Sequence, residues 1–90
     1  MQAHEFVNDA AKALEDRAVL RDAPGGERSA PKAAAILTAW TGREWAAADV
    51  WRCLLAVKLA REIQGNPHAD DYTDLAGYAG LLGEAVFDGS

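Results

Sequence analysis

One short turn constrains this chain more than any other feature. Gly65-Asn66-Pro67 separates two long stretches of helical periodicity. It offers a glycine to end one helix, an asparagine to cap the next and a proline at the first helical position. The spacing predicts one helix over about 47–64 and another over about 67–87. So short a connection favours antiparallel neighbours, so the two are expected to form a hairpin around which the rest of the chain packs.

Upstream of the hairpin, Val7, Ala11, Leu14 and Ala18 recur at helical spacing, opposed by Glu5, Asp9, Lys12, Glu15 and Asp16. That pattern predicts an amphipathic helix over about 3–20. Pro24, Gly25 and Gly26 interrupt it, so 21–29 reads as a loop. Ser29 as N-cap and Gly42 as the C′ residue bracket a further helix over about 30–41, with Ala33, Ile36, Leu37 and Trp40 expected to face inward. No strand-type alternation interrupts these helices. The expected fold is all-α, a four-helix module forming a single domain over 1–90. A chain of 90 residues buries a modest fraction of its surface, and a homo-oligomer is therefore expected.

Charge and cysteine usage remove several classes of function. Nine Lys and Arg against fourteen Asp and Glu give a net charge of −5. That balance is unsuited to coating a nucleic-acid polymer, although a local pair of cations can still hold a small phosphorylated ligand. Cys53 has no internal partner, which points to a reducing compartment, and its place on a mostly apolar helix suggests a small buried hydrophobe. No apolar run approaches the roughly 20 residues needed to span a bilayer, and MQAHEFVND does not resemble a leader peptide. A cytoplasmic protein with no membrane partner is the expectation.

The hairpin carries charges where apolar residues would be expected. At 100° per residue, Val50, Trp51, Leu54 and Val57 cluster on one side of the third helix, and Leu55, Leu59 and Ile63 carry the apolar surface round. Lys58 and Arg61 fall inside that arc. On the fourth helix Asp71, Asp74 and Tyr78 share a side with Leu75, Leu81, Leu82 and Ala85. Ions without partners are too costly to leave in such positions. Lys58 and Arg61 are therefore expected either to pair with Asp71 and Asp74 as structural salt bridges or to hold phosphate, with the two aspartates as ligands for Mg²⁺.

Other residues offer weaker signals. His68 lies in the turn beside Asp70, where it is either solvated or in contact with a ligand. Tyr78 and Trp51 offer stacking faces for a nucleobase, although Trp40, Trp45 and Trp51 read most simply as core or interface anchors. Gly77, Gly80 and Gly83 lower the stability of the fourth helix and leave a groove for close approach of another helix. There is no context for a hydrolytic triad and no phosphate-cradling glycine loop.

Several motifs in 33–84 carry a resemblance. They are Trp40 closing a helix, Ala48-Asp49-Val50, Lys58-Leu59-Ala60-Arg61, Asp70-Asp71-Tyr72, Asp74-Leu75-Ala76-Gly77-Tyr78 and Glu84. Together they resemble a family of small helical proteins of unknown function from bacteriophages and prophages. More distantly, the hairpin is similar to the second half of the all-α MazG-like nucleoside triphosphate pyrophosphohydrolases. In that resemblance Asp71-x-x-Asp74 stands for their second acidic element, while the first, E-E-x-x-E, has no counterpart here.

Small size, acidic charge, the Lys58 and Arg61 pair facing a carboxylate helix and the incomplete acidic motif together point to a non-catalytic, phage-type protein that binds a nucleotide-like small molecule and sequesters a defence signal in the host cytoplasm. Lys58 and Arg61 would meet its phosphates, with Tyr78, Trp51 and His68 around the rest. One alternative is a Mg²⁺-dependent nucleotide pyrophosphohydrolase using Asp71 and Asp74. The other is an inhibitor or adaptor that binds a host protein through the glycine groove and the tryptophans.

Overall fold

The computed structural model describes residues 1–17 and 29–88. Its described residues form four helices and no strand: α1 (Ala3–Arg17), α2 (Ser29–Thr41), α3 (Ala47–Gln64) and α4 (Ala69–Asp88). The expected end of the first helix over 18–20, with Ala18, and the expected loop up to residue 28 lie outside the described residues.

The α2–α3 connection is held by threonine hydroxyls. Gly42 adopts φ +74°, the left-handed conformation expected of a C′ glycine, and its N–H donates to the Thr38 carbonyl at 3.0 Å. Thr41 Oγ1 accepts the Arg43 N–H at 3.2 Å and the Trp45 indole N–H at 3.1 Å, while Thr38 Oγ1 accepts the Trp45 backbone N–H at 3.0 Å. At the start of α3 the Asp49 carboxylate accepts the Ala46 N–H at 2.9 Å, returning a bond that Ala46, as N-cap, has no side chain to make.

The second connection differs from expectation in detail. Gly65 is extended, at φ −126° and ψ −171°, so α3 ends there without a left-handed cap. The α4 helix begins at Ala69 and not Pro67, because its first turn closes when the Asp71 N–H donates to the His68 carbonyl at 3.1 Å. The hairpin itself is as expected: α3 and α4 run antiparallel and make the most extensive helix packing in the molecule.

Backbone packing follows the order α2–α3–α4–α1, with α3 and α4 in the middle. The core is small. Ala30, Trp51, Leu81 and Ala85 are its buried centre, with Leu54, Tyr78 and Leu82 packed around them. Trp51 is the one large aromatic among these buried residues, 3% exposed, and it touches residues from three helices because alanines at 30 and 85 let the backbones approach.

Several inward and outward assignments are corrected. On α1 the buried residue is Ala10, with Phe6 and Leu14 half-buried, whereas Val7 and Ala11 are exposed. Phe6 sets this rotation by meeting the Tyr72 ring edge-on, with centroids 5.8 Å apart at 68°. On α2 the buried face is Ala30 and Ala34, so Ile36 and Trp40 project outward and Trp40 is 79% exposed. On α3 Val57, Leu59 and Ile63 are exposed, and so is Cys53, which is therefore not the buried hydrophobe expected. In each case the periodicity was right and the bearing of the face was set by the neighbours.

No described helix is long and apolar enough to cross a membrane.

Candidate functional site

The antiparallel hairpin brings together residues nearly equidistant from Asn66, and this alone aligns the charged groups. Lys58 Nζ lies 2.7 Å from Asp74 Oδ2 and 3.9 Å from Asp71 Oδ1. The Lys58 and Asp71 side chains are 16% and 15% exposed, while Asp74 is 41% exposed. The two carboxylates stand one turn apart on α4, and a single ammonium serves both. The hydrogen bond to Asp74 raises the Lys58 pKa above its ordinary value, against partial desolvation and the nearby Arg61 charge, both of which lower it. Lys58 is thus a fixed cation, committed to its two partners. A Mg²⁺ ion held by Asp71 and Asp74 would have to displace it. Among the described residues no group of three or more His, Cys, Asp or Glu side chains is arranged to hold a metal.

One turn nearer the connection lies a pair that the charge pattern did not reveal. The Tyr72 hydroxyl donates to Glu62 Oε1 at 3.0 Å, and this bond, helped by desolvation, raises the tyrosine pKa. The signal was available, since Glu62 and Tyr72 flank the turn almost symmetrically.

Arg61 does not join the cluster. It is exposed and makes no ion pair with a described residue. Arg61 instead lines an open hollow of about 400 Å³ at the end of the hairpin, with Gln64, Gly65, Asn66, His68 and Asp71. The expected site is therefore divided, with Lys58 and Asp74 closed on one another, Arg61 and His68 exposed, and Asp71 shared between the ammonium and the hollow.

The two proposed stacking residues meet each other. The Trp51 and Tyr78 rings stack with centroids 6.0 Å apart and an interplanar angle of 27°, and the burial of Trp51 leaves it no free face. Tyr78 also borders a void of about 30 Å³ between α1 and α4, shared with Ala10, Leu14, Asp74, Gly77 and Leu81. That space is about right for one water molecule. Among the described residues the helical glycines do not accommodate a closely packed neighbour: a Cβ at Gly77 or Gly83 would meet none of them within 4 Å, and at Gly80 only Leu14 Cδ1 at 4.0 Å.

Neither the curated proteins nor the solved structures gave a match. A family match does cover residues 8–86, which include the last ten residues of α1, all of α2 and α3, and all but the last two residues of α4. The chain belongs to the family described as Domain of unknown function (DUF6378).

Proposed function

We propose that this chain is a non-catalytic binding protein that captures a phosphate-bearing, nucleotide-like small molecule in the hollow at the end of the α3–α4 hairpin. The observation that carries the reading is the division of the hairpin's charges. Lys58 is occupied by Asp71 and Asp74, whereas Arg61, without an ion pair among the described residues, lines the hollow with His68, Gln64, Gly65 and Asn66, and Asp71 borders it. A guanidinium suits phosphate because it donates in a planar fork, and the amides and imidazole around it supply further polar contacts. The choice of a nucleotide-like ligand follows the hairpin's distant similarity in sequence to the MazG-like group, and the role in sequestering a defence signal is part of the proposal. Hydrolysis has less support, because the two aspartates it would use face an ammonium.

Calorimetric titration with mononucleotides, cyclic dinucleotides and ADP-ribose derivatives tests the reading. One of these is expected to bind, and Arg61→Ala to weaken it by about tenfold, the loss of one charge-assisted contact worth roughly 1.5 kcal/mol. Absence of heat with every ligand, from well-folded protein, rejects it.

A second reading, docking onto another protein, is favoured by the exposure of Trp40 and Phe87, at 79% and 89%. Bare aromatic side chains of this kind are common anchors of protein interfaces. Affinity capture with the wild type and with a Trp40→Ala, Phe87→Ala double variant separates the two readings. A partner lost only from the double variant supports docking, and identical capture by both removes it.

A further inference from the structure

The outward side of α3 carries the exposed Arg52–Asp49 ion pair in its first turns and apolar residues beyond it, while Lys58 and Glu62 are held inward. Trp51, Leu54, Leu55, Lys58 and Glu62 point towards the rest of the molecule. On the opposite side Cys53, Ala56, Ala60 and Ile63 form a strip, with Val57 and Leu59 at its edges, and all six are exposed. Ile63 is 78% exposed. A helix that is apolar on every side belongs between neighbours, yet α2 and α4 cover only the inward half of α3.

We propose that a second copy of this chain covers the strip, pairing α3 with its two-fold-related α3 in antiparallel orientation. Two observations favour a second copy over an unrelated partner. First, the charge that would keep copies apart lies elsewhere: α4 carries five acids and no cation, whereas α3 carries Asp49 and Glu62 against Arg52, Lys58 and Arg61. Approach through α3 therefore keeps the acidic helices of the two copies distant, and antiparallel pairing sets the helix dipoles in opposition.

Second, the strip is self-complementary. Ala56 and Ala60 lie near its middle, so an antiparallel copy sets small residues against small residues and the backbones come close, as a two-fold interface requires. The strip from Cys53 to Ile63 is about 15 Å long.

The native Cys53 provides the test, because it lies on the strip and is exposed in the single chain. Sedimentation equilibrium is expected to give a dimer. The reaction of Cys53 with a small disulfide reagent is expected to slow by about tenfold or more between dilute and concentrated protein, as mass action fills the dimer. Ala56→Glu and Ala60→Glu place a charge on the strip without touching the core, and each is expected to give a helical monomer whose thiol reacts at one fast rate at every concentration.

A monomeric wild type with a concentration-independent thiol rate overturns the proposal. So does a dimer in which Cys53 stays fully reactive, or one that persists in both folded variants, since either must use another face. Should a variant lose its helical spectrum, the wild-type thiol series decides alone.

Discussion

The two sides of α3 each mix polar and apolar residues, but the two kinds are partnered differently. The inward side holds Lys58 and Glu62, each with a partner on α4, at 2.7 Å to Asp74 and 3.0 Å to Tyr72. The outward side holds Ala56, Val57, Ala60 and Ile63 without any covering helix. The contrast teaches that polarity alone does not decide what faces inward. A charge is tolerated inside when its partner arrives with correct geometry, whereas exposed apolar area lowers the free energy only when something covers it.

The largest expected effect tests whether the inward side depends on its apolar anchor. Trp51→Ala should destabilise the fold by about 3–5 kcal/mol, because it empties the centre of the small core and strips the stacked face of Tyr78. Chemical denaturation checks this, and a loss below about 1 kcal/mol would mean the core lies elsewhere.

A smaller effect isolates the polar cluster. Lys58→Met leaves Asp71 and Asp74 facing each other without their shared cation. The expected cost is about 1–2 kcal/mol, less than for a deeply buried pair because Asp74 is substantially exposed. Adding Asp71→Asn should restore part of the loss, and a double variant no better than the single one would show that repulsion between the carboxylates is not its source.

Gly77→Ala should act in the opposite direction, stabilising by up to about 1 kcal/mol. Its new methyl would meet no described residue of another helix within 4 Å and lies beside the small void between α1 and α4. A lowered melting temperature would mean that a partner, and not this chain, requires the glycine.

The smallest effect is a loss of stability at alkaline pH. Lys58 and Tyr72 both have pKa values raised in the fold, from ordinary values of 10.5 and 10.0, by hydrogen bonds to Asp74 and Glu62 respectively. A raised pKa contributes stability that is fully present below the unfolded value and is lost as pH rises through the folded one. Stability should therefore fall above about pH 10, and Tyr72→Phe combined with Lys58→Met should flatten that limb. An unchanged alkaline limb in the double variant would assign it to other groups.

Much of the hairpin was legible because its determinants are local. Gly65, Asn66 and Pro67 set its turn, and the short connection fixed the antiparallel direction that brings Lys58 to Asp74. The open side of the site was not legible. On a helical projection Arg61 lies as far inside the apolar arc as Lys58 does, but nothing local says that α4 reaches one residue and leaves the other exposed. Trp40 and Cys53 were misplaced for the same reason, since periodicity gives the width of a face but not its bearing.

The sequence by itself determined four helices, the hairpin and the compensating charges of α3 and α4, because capping residues, turn chemistry and helical period act over a few residues. The tertiary structure decided which charges close on one another and which apolar residues remain outside. Those outcomes depend on the distance and rotation between helices, and they are set by Trp51 against Ala30 and Ala85 and by Phe6 against Tyr72.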